Sequence, residues 1–283
     1  MTRIVTWNIQ CAKGVDGRVA PGRIADVARG WGEPDVICLQ EVARFMPDMD
    51  GGEGADQVAV FAALFPGHEP IFGPALDLPG DAPGRRRQFG NLILSRLPVP
   101  QAFRHLLPFP PETGIKRMQR QATEVVVQTD AGPLRIVTTH LEYHSETQRL
   151  AQAGALRVLH AESADNANRP PAAADGLYAP LPRPASCVIC GDFNIAPDDA
   201  VYARLVAPFA NGTPALNDVW RALHGDRPHD PTCGIFDREQ WPQGPHCRDF
   251  FLVTPDIAAR AGRLEVNMET DASDHQPLLL ELR

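Results

Sequence analysis

The segment CVICGDFNIAP, residues 187–197, changes character halfway along its length. Cys187, Val188, Ile189 and Cys190 are apolar at consecutive positions, so a strand formed here is apolar on both faces and must be covered on both. Asp192 and Asn194 follow at once, and Pro197 ends the element. A carboxylate and an amide thus stand at the mouth of a buried strand.

Similar Val- and Ile-rich runs, bounded by Gly, Pro or Asp, predict strands over 3–8, 36–41, 91–94, 122–128, 134–140, 187–193, 250–254 and 278–282. Helical patterns lie between them, at 21–30, 57–64, 147–161, 198–206 and 215–223. The third has Leu150, Ala153, Leu156 and Leu159 near one stripe. Its start reads as a capping box, with Ser145 capping and Gln148 reaching back. Alternating strands and helices with doubly apolar strands point to an α/β (α+β) protein whose sheets are covered on both faces.

Five stretches read as loops: 43–55, 75–88, 105–119, 164–186 and 224–248. The fourth is rich in Pro and Ala and resumes directly into strand pattern, so it reads as a surface loop within a single domain spanning 1–283. Repeats of fixed period are absent. The formal charge is 27 − 35 = −8, which argues against tight, non-specific binding to a polyanion. The six cysteines form no dense disulfide framework, and no secretory signal or membrane span is visible, so a cytoplasmic monomer is expected. Cys187 and Cys190 form a CxxC, but without a second pair and inside a strand this is no zinc or redox signature.

The polar strand end at 192–194 has counterparts. Asn8 closes the first strand, Glu41 the second and His140 the run ending TTH; Asp249 heads DFFLVTP, and Asp274-His275 precedes the last strand. Taken singly, each also fits a turn residue, a cap or a satisfied buried side chain. Together, the blocks TWNIQ, LQEV, GNLILS, TTHLE, CGDFN, RDFFLV and SDHQPL run in order from residue 6 to 278. They resemble the endonuclease/exonuclease/phosphatase superfamily, with its deoxyribonuclease I-like fold, and the resemblance spans residues 2 to 282.

The resemblance implies a four-layer sandwich of two packed mixed β-sheets flanked by helices, with a site at one end of the sheets that cleaves phosphoesters using a divalent cation, Mg²⁺ or Mn²⁺. It assigns Glu41, Asn8 and Asp274 to the metal and His140, Asp192, Asn194, Asp249 and His275 to catalysis. Hard oxygen donors suit such a cation. Strand alternation would set Asp192 and Asn194 on one face, toward one phosphate. Both Asp192 and His275 stand as candidates for the base that activates water; a His275–Asp249 dyad is the favoured reading. His140 and His144 form HxxxH, but at a strand end rather than on a helix, so zinc is not expected. Neither GxSxG nor a P-loop occurs, which leaves direct attack by water as the simplest route.

Substrate choice is less determined. Arg85, Arg86 and Arg87 could hold phosphates, as could Arg120 in a second basic cluster with Lys116 and Arg117. Aromatic residues make up only 7% of the chain, which offers few stacking platforms for single strands. A small phosphoester is therefore the first expectation, DNA or RNA the second, and a catalytically silent binding protein the third.

Overall fold

The computed structural model describes residues 1–49, 51 and 54–283. In chain order the first six strands are β1 (Thr2–Asn8), β2 (Val36–Arg44), β3 (Glu69–Pro79), β4 (Arg86–Ser95), β5 (Gln101–Leu106) and β6 (Gln121–Thr129). The rest are β7 (Gly132–His140), β8 (Cys187–Asp192), β9 (Asn217–Asp218), β10 (Asp249–Val253), β11 (Ala261–Val266) and β12 (Leu278–Leu282). The helices are α1 (Pro21–Ala28), α2 (Gln57–Leu64), α3 (Glu146–Asn168), α4 (Ala200–Val206), α5 (Val219–His224) and α6 (Pro255–Ala258).

The strands form two six-stranded sheets, ordered β11-β12-β1-β2-β4-β3 and β5-β6-β7-β8-β10-β9. β1 runs parallel to β2 and β7 parallel to β8, while the other neighbours are antiparallel, so both sheets are mixed. Alternation along the strands divides the core. Ile4, Cys38, Ile93, Ile136, Val188, Cys190 and Phe251 pack between the sheets. On the outer face of the first sheet, Val5, Ile37 and Leu39 meet Ile24 of α1 and Phe61 of α2. On that of the second, Cys187, Ile189 and Phe250 meet Leu156 of α3 and Leu205 of α4. Helix, sheet, sheet and helix make the expected four layers. Cys187 and Cys190, three residues apart in one strand, therefore face opposite sides.

The eight expected strands are all present, and β3, β5, β9 and β11 are added at the sheet edges. The stretch 75–88 is consequently not one loop: β3 runs to Pro79 and β4 begins at Arg86. The expected loop 43–55 contains Asp50, Gly52 and Glu53, which lie outside the described residues; β2 extends to Arg44. α3 continues to Asn168, seven residues past the expected end, and 215–223 divides into β9 and α5. Ser145 caps α3 by accepting from the Gln148 N–H at 3.0 Å. Gln148 does not close the box, because its amide donates to the Pro110 carbonyl instead. No described helix is long and apolar enough to cross a membrane.

Candidate active site

Strand register gathers the polar ends. Parallel pairing sets Asn8 beside Gln40, and His140 beside Asp192. Antiparallel pairing sets Asp249 on the other side of Asp192, so three side chains line up across the second sheet. Beneath them the buried Gln40 amide reaches Thr6 Oγ1 at 3.1 Å in its own sheet and Thr138 Oγ1 at 2.8 Å in the facing one. The two rows are thereby tied together below the site.

Local backbone then aims the individual groups. The β2–β4 register slips between Leu39 and Val42, a bulge that carries Glu41 at a φ of +58°. Bulges re-aim side chains at sheet ends. After Asn8 the chain enters a left-handed turn at Gln10, Cys11 and Ala12, and the Gln10 N–H donates to Asn8 Oδ1 at 3.1 Å. Asn194 is not the next residue of a strand: β8 ends at Asp192 and Asn194 has a φ of +53°, so alternation does not place it. Its N–H donates to Asp192 Oδ1 at 2.8 Å, and its side-chain amide donates to the Leu141 carbonyl at 2.9 Å.

The result is one buried cluster. The Asn8 amide donates to Glu41 Oε1 at 3.1 Å and to Asp192 Oδ2 at 3.0 Å. His140 lies 3.8 Å from Glu41 and 3.4 Å from Asp192. His275 Nδ1 meets Asp249 Oδ2 at 2.8 Å, while its Nε2 faces Asp192 at 3.7 Å. Thr232 Oγ1 donates to Asp249 Oδ2 at 2.6 Å. Asp274 accepts from Trp241 Nε1 at 3.2 Å and Gln240 Nε2 at 2.9 Å. A cavity of about 660 Å³ opens beside Gln240, lined by Gln10, Lys13, Asp16, Asp237 and Arg238 among others.

Four carboxylates, Glu41, Asp192, Asp249 and Asp274, share this space. Burial, and then the Asp274 charge, push Glu41 up to about 7. Burial raises Asp249 to about 6 against the opposing pull of His275, and burial also raises Asp274. Burial acts the same way on Asp192, but His275, His140 and the Asn8 amide outweigh it and hold Asp192 below the usual carboxylate range. His275 moves well above an ordinary histidine: burial opposes its charge, yet Asp249, Asp192 and Asp274 overcome it. Burial and the nearby Arg120 lower His140 to about 3, so its ring is neutral.

A cluster with this excess of buried negative charge suits a divalent cation with oxygen ligands. Glu41 has the freest carboxylate, its side chain 24% exposed and hydrogen-bonded by Asn8, whereas both Asp274 oxygens already accept hydrogen bonds. Single ligand atoms of Asp192, Asp249 and His275 also lie within 4.8 Å of one another.

All eight catalytic and metal residues expected from the sequence converge here. Three of the four expected arginines do not. Arg85, Arg86 and Arg87 lie on and beside the start of β4, paired with Asp81, Asp77 and Asp48, and none touches the cluster. Arg120 is buried near His140 and Glu41 but is held by Glu142 at 3.3 Å. Thr232, Gln240 and Trp241 escaped the sequence reading, since they sit in the irregular stretch 224–248, where no periodicity marks them. Their type was the one available signal: polar or indole N–H groups shortly before the RDFFLV block.

The profile of the Endonuclease/Exonuclease/phosphatase family matches residues 5–275. Among solved structures, the chain is similar to an endonuclease/exonuclease/phosphatase from Beutenbergia cavernae, at 25% identity and a TM-score of 0.70, covering 100% of this chain and 71% of that one. It is similar to a mannosyl-6-phosphatase from Bacteroides thetaiotaomicron, at 17% identity and a TM-score of 0.70, with both chains covered in full. A third similarity is to a 3′ phosphatase from Neisseria bound to a product DNA hairpin, at 17% identity and a TM-score of 0.62, again with full coverage of both. No curated protein matches.

Proposed function

The chain belongs to the endonuclease/exonuclease/phosphatase family, and we propose that it hydrolyses phosphoesters by direct attack of water, using a divalent cation, Mg²⁺ or Mn²⁺. The observation that carries this reading is the continuous buried line Asp249–His275···Asp192···Asn8···Glu41, which joins the ends of both sheets. Glu41 is the principal ligand of the cation, with Asp274 adjoining. When bound, the cation neutralises phosphate charge and stabilises the leaving oxygen.

The chain's own groups divide the remaining work. Asp192, held anionic by its donors, accepts the proton of the attacking water and orients it. His275, charged between Asp249 and Asp192, donates from Nε2 toward a non-bridging oxygen, where negative charge grows in the transition state. This exchanges the roles favoured from sequence: a ring held protonated is a poor base, and a carboxylate held ionised is a ready acceptor. Neutral His140 and the second amide hydrogen of Asn194 are further donors to the phosphoryl group.

Hydrolysis of bis-p-nitrophenyl phosphate with Mg²⁺ or Mn²⁺ tests the reading. Glu41→Gln and His275→Ala should each lower kcat by at least 100-fold while the protein stays folded by circular dichroism. Wild-type rates in either variant, or a wild-type protein inert with both ions, would refute it. Plasmid nicking compared with a panel of small phosphoesters then separates nucleic-acid from small-molecule substrates.

A further inference from the structure

Beside this site lies a cation that the sequence did not single out. Arg248 immediately precedes Asp249. Its N–H donates to Thr232 Oγ1 at 2.9 Å, the same hydroxyl that holds Asp249, and its carbonyl accepts from the Phe193 N–H at 3.0 Å. The backbone of Arg248 is thus fixed by the residues that fix the cluster.

The side chain is fixed as well. Its guanidinium carbon lies 5.0 Å from the Trp241 ring centroid and 5.5 Å from that of Tyr143, and Nε donates to His246 Nε2 at 2.8 Å. Burial lowers His246, which keeps that ring neutral and able to accept. Trp241 in turn donates to Asp274 and packs edge-on to the His275 ring at 5.7 Å. One rigid indole therefore connects the guanidinium to the cluster. Tyr143, 41% exposed, places the arrangement at the solvent rim.

Charge use separates Arg248 from the arginines considered above. Arg85, Arg86, Arg87 and Arg120 are each paired with a carboxylate. Arg248 forms no ion pair to a carboxylate among the described residues; its contacts are two ring faces and a neutral imidazole. A guanidinium held over aromatic rings keeps its terminal N–H edge for an outside acceptor and loses little rotamer freedom on binding one. The acceptor that matches two parallel N–H groups is a phosphate or carboxylate oxygen pair.

We propose that Arg248 grips a second phosphate of the substrate, distinct from the one attacked, so that the preferred substrates carry at least two phosphate groups. This rests on the phosphoester reading of the site. An exposed tyrosine ring next to the guanidinium adds an apolar edge for the part of the substrate lying between the two phosphates.

Calorimetric binding of a nucleoside 3′,5′-bisphosphate and of the matching 5′-monophosphate, with Ca²⁺ present, provides the test. The wild type should prefer the bisphosphate by at least tenfold. Arg248→Ala should reduce that preference below threefold, and Arg248→Lys, which keeps charge but not the planar fork, should fall between. Arg260→Ala, at the far end beside Arg283, should retain the full preference. A wild type without the preference, or an Arg248→Ala protein that keeps it, overturns the proposal. If Arg248→Ala fails to fold, Arg248→Gln and Arg248→Lys carry the comparison. Bis-p-nitrophenyl phosphate turnover with Mn²⁺ separates the two readings: turnover without the preference defeats this inference alone, and the preference without turnover defeats the catalytic reading alone.

Discussion

At Glu41, backbone and side chain are both held in conditions that an isolated strand would avoid. Its φ is +58° and its carboxyl is pushed up to about 7, by burial first and by Asp274 second. In protein stripped of divalent ions, the folded-state value exceeds the ordinary 4.5. The contribution of this group to stability is then complete below about pH 4.5 and is lost as pH rises through 7. Glu41→Gln should accordingly raise the stability of chelated protein at pH 8 by roughly 2 kcal/mol, allowing for partial exposure, and should give no gain at pH 4. Urea unfolding at the two pH values measures this. Added Mg²⁺ should stabilise the wild type and not the variant. Equal wild-type and variant stability at pH 8 would refute it. Residues of this kind were legible in the sequence because polar groups interrupt apolar runs at strand ends. Thr232 and Trp241 were not, because their positions depend on how 224–248 folds over the sheet ends, and nothing periodic encodes that path; Arg248 stands at the head of the RDFFLV block, but its ring contacts depend on that same path.

Among the elements, β7 and β8 carry the most of the site, since their parallel register sets His140 against Asp192. That register depends on Gly191, whose φ is +133°; a Cβ there would lie 2.0 Å from the Thr139 carbonyl oxygen. Gly191→Ala must separate the two strands or shift their pairing. The expected cost is about 3 kcal/mol or more, by the combination of backbone conflict and lost ladder bonds. Urea unfolding should show that loss, and near-ultraviolet circular dichroism should report altered packing. A loss under 1 kcal/mol would mean that the register is held elsewhere. The same view explains which strands could be read in advance. The eight expected from apolar runs are the eight interior strands. The four found only in the structure, β3, β5, β9 and β11, are the sheet edges. An edge strand pairs on one side alone and tolerates exposure and proline; β3 carries Pro70, Pro74 and Pro79. Its pattern therefore lacks the two-sided burial that marks an interior strand.

Across the whole molecule, a second buried polar network lies away from the candidate site, on the outer face of the second sheet. Glu124 of β6 accepts from Arg183 Nε at 3.0 Å and meets His105 at 3.0 Å, with Arg135 of β7 at 3.5 Å. Arg183 lies three residues before the end of the Pro/Ala-rich stretch 164–186 and also stacks over Phe103 at 4.5 Å, so this stretch is pinned to the sheet near its C-terminal end. Arg135 continues to His160 Nδ1 of α3 at 3.2 Å, and His160 Nε2 meets the Pro214 carbonyl at 2.9 Å. Burial would raise Glu124, but His105, Arg183 and Arg135 outweigh it and bring it to about 2. Burial, aided by Arg135, lowers His160 to about 4. Both folded-state values lie below the unfolded ones, so both groups contribute stability at neutral pH that is lost on acidification. For His160 the loss begins near pH 6.5 and is complete below 4; for Glu124 it begins near 4.5 and continues toward 2. Glu124→Gln should thus lower stability at pH 7 by on the order of 3 kcal/mol and flatten its decline between pH 4.5 and 2.5. His160→Gln should flatten the decline between 6.5 and 4 instead. Urea midpoints measured from pH 7.5 to 2.5 in the presence of chelator decide the matter. If Glu124→Gln follows the wild-type curve in parallel throughout, the carboxylate is not what ties α3, the sheet and the Pro/Ala-rich stretch into one acid-sensitive unit.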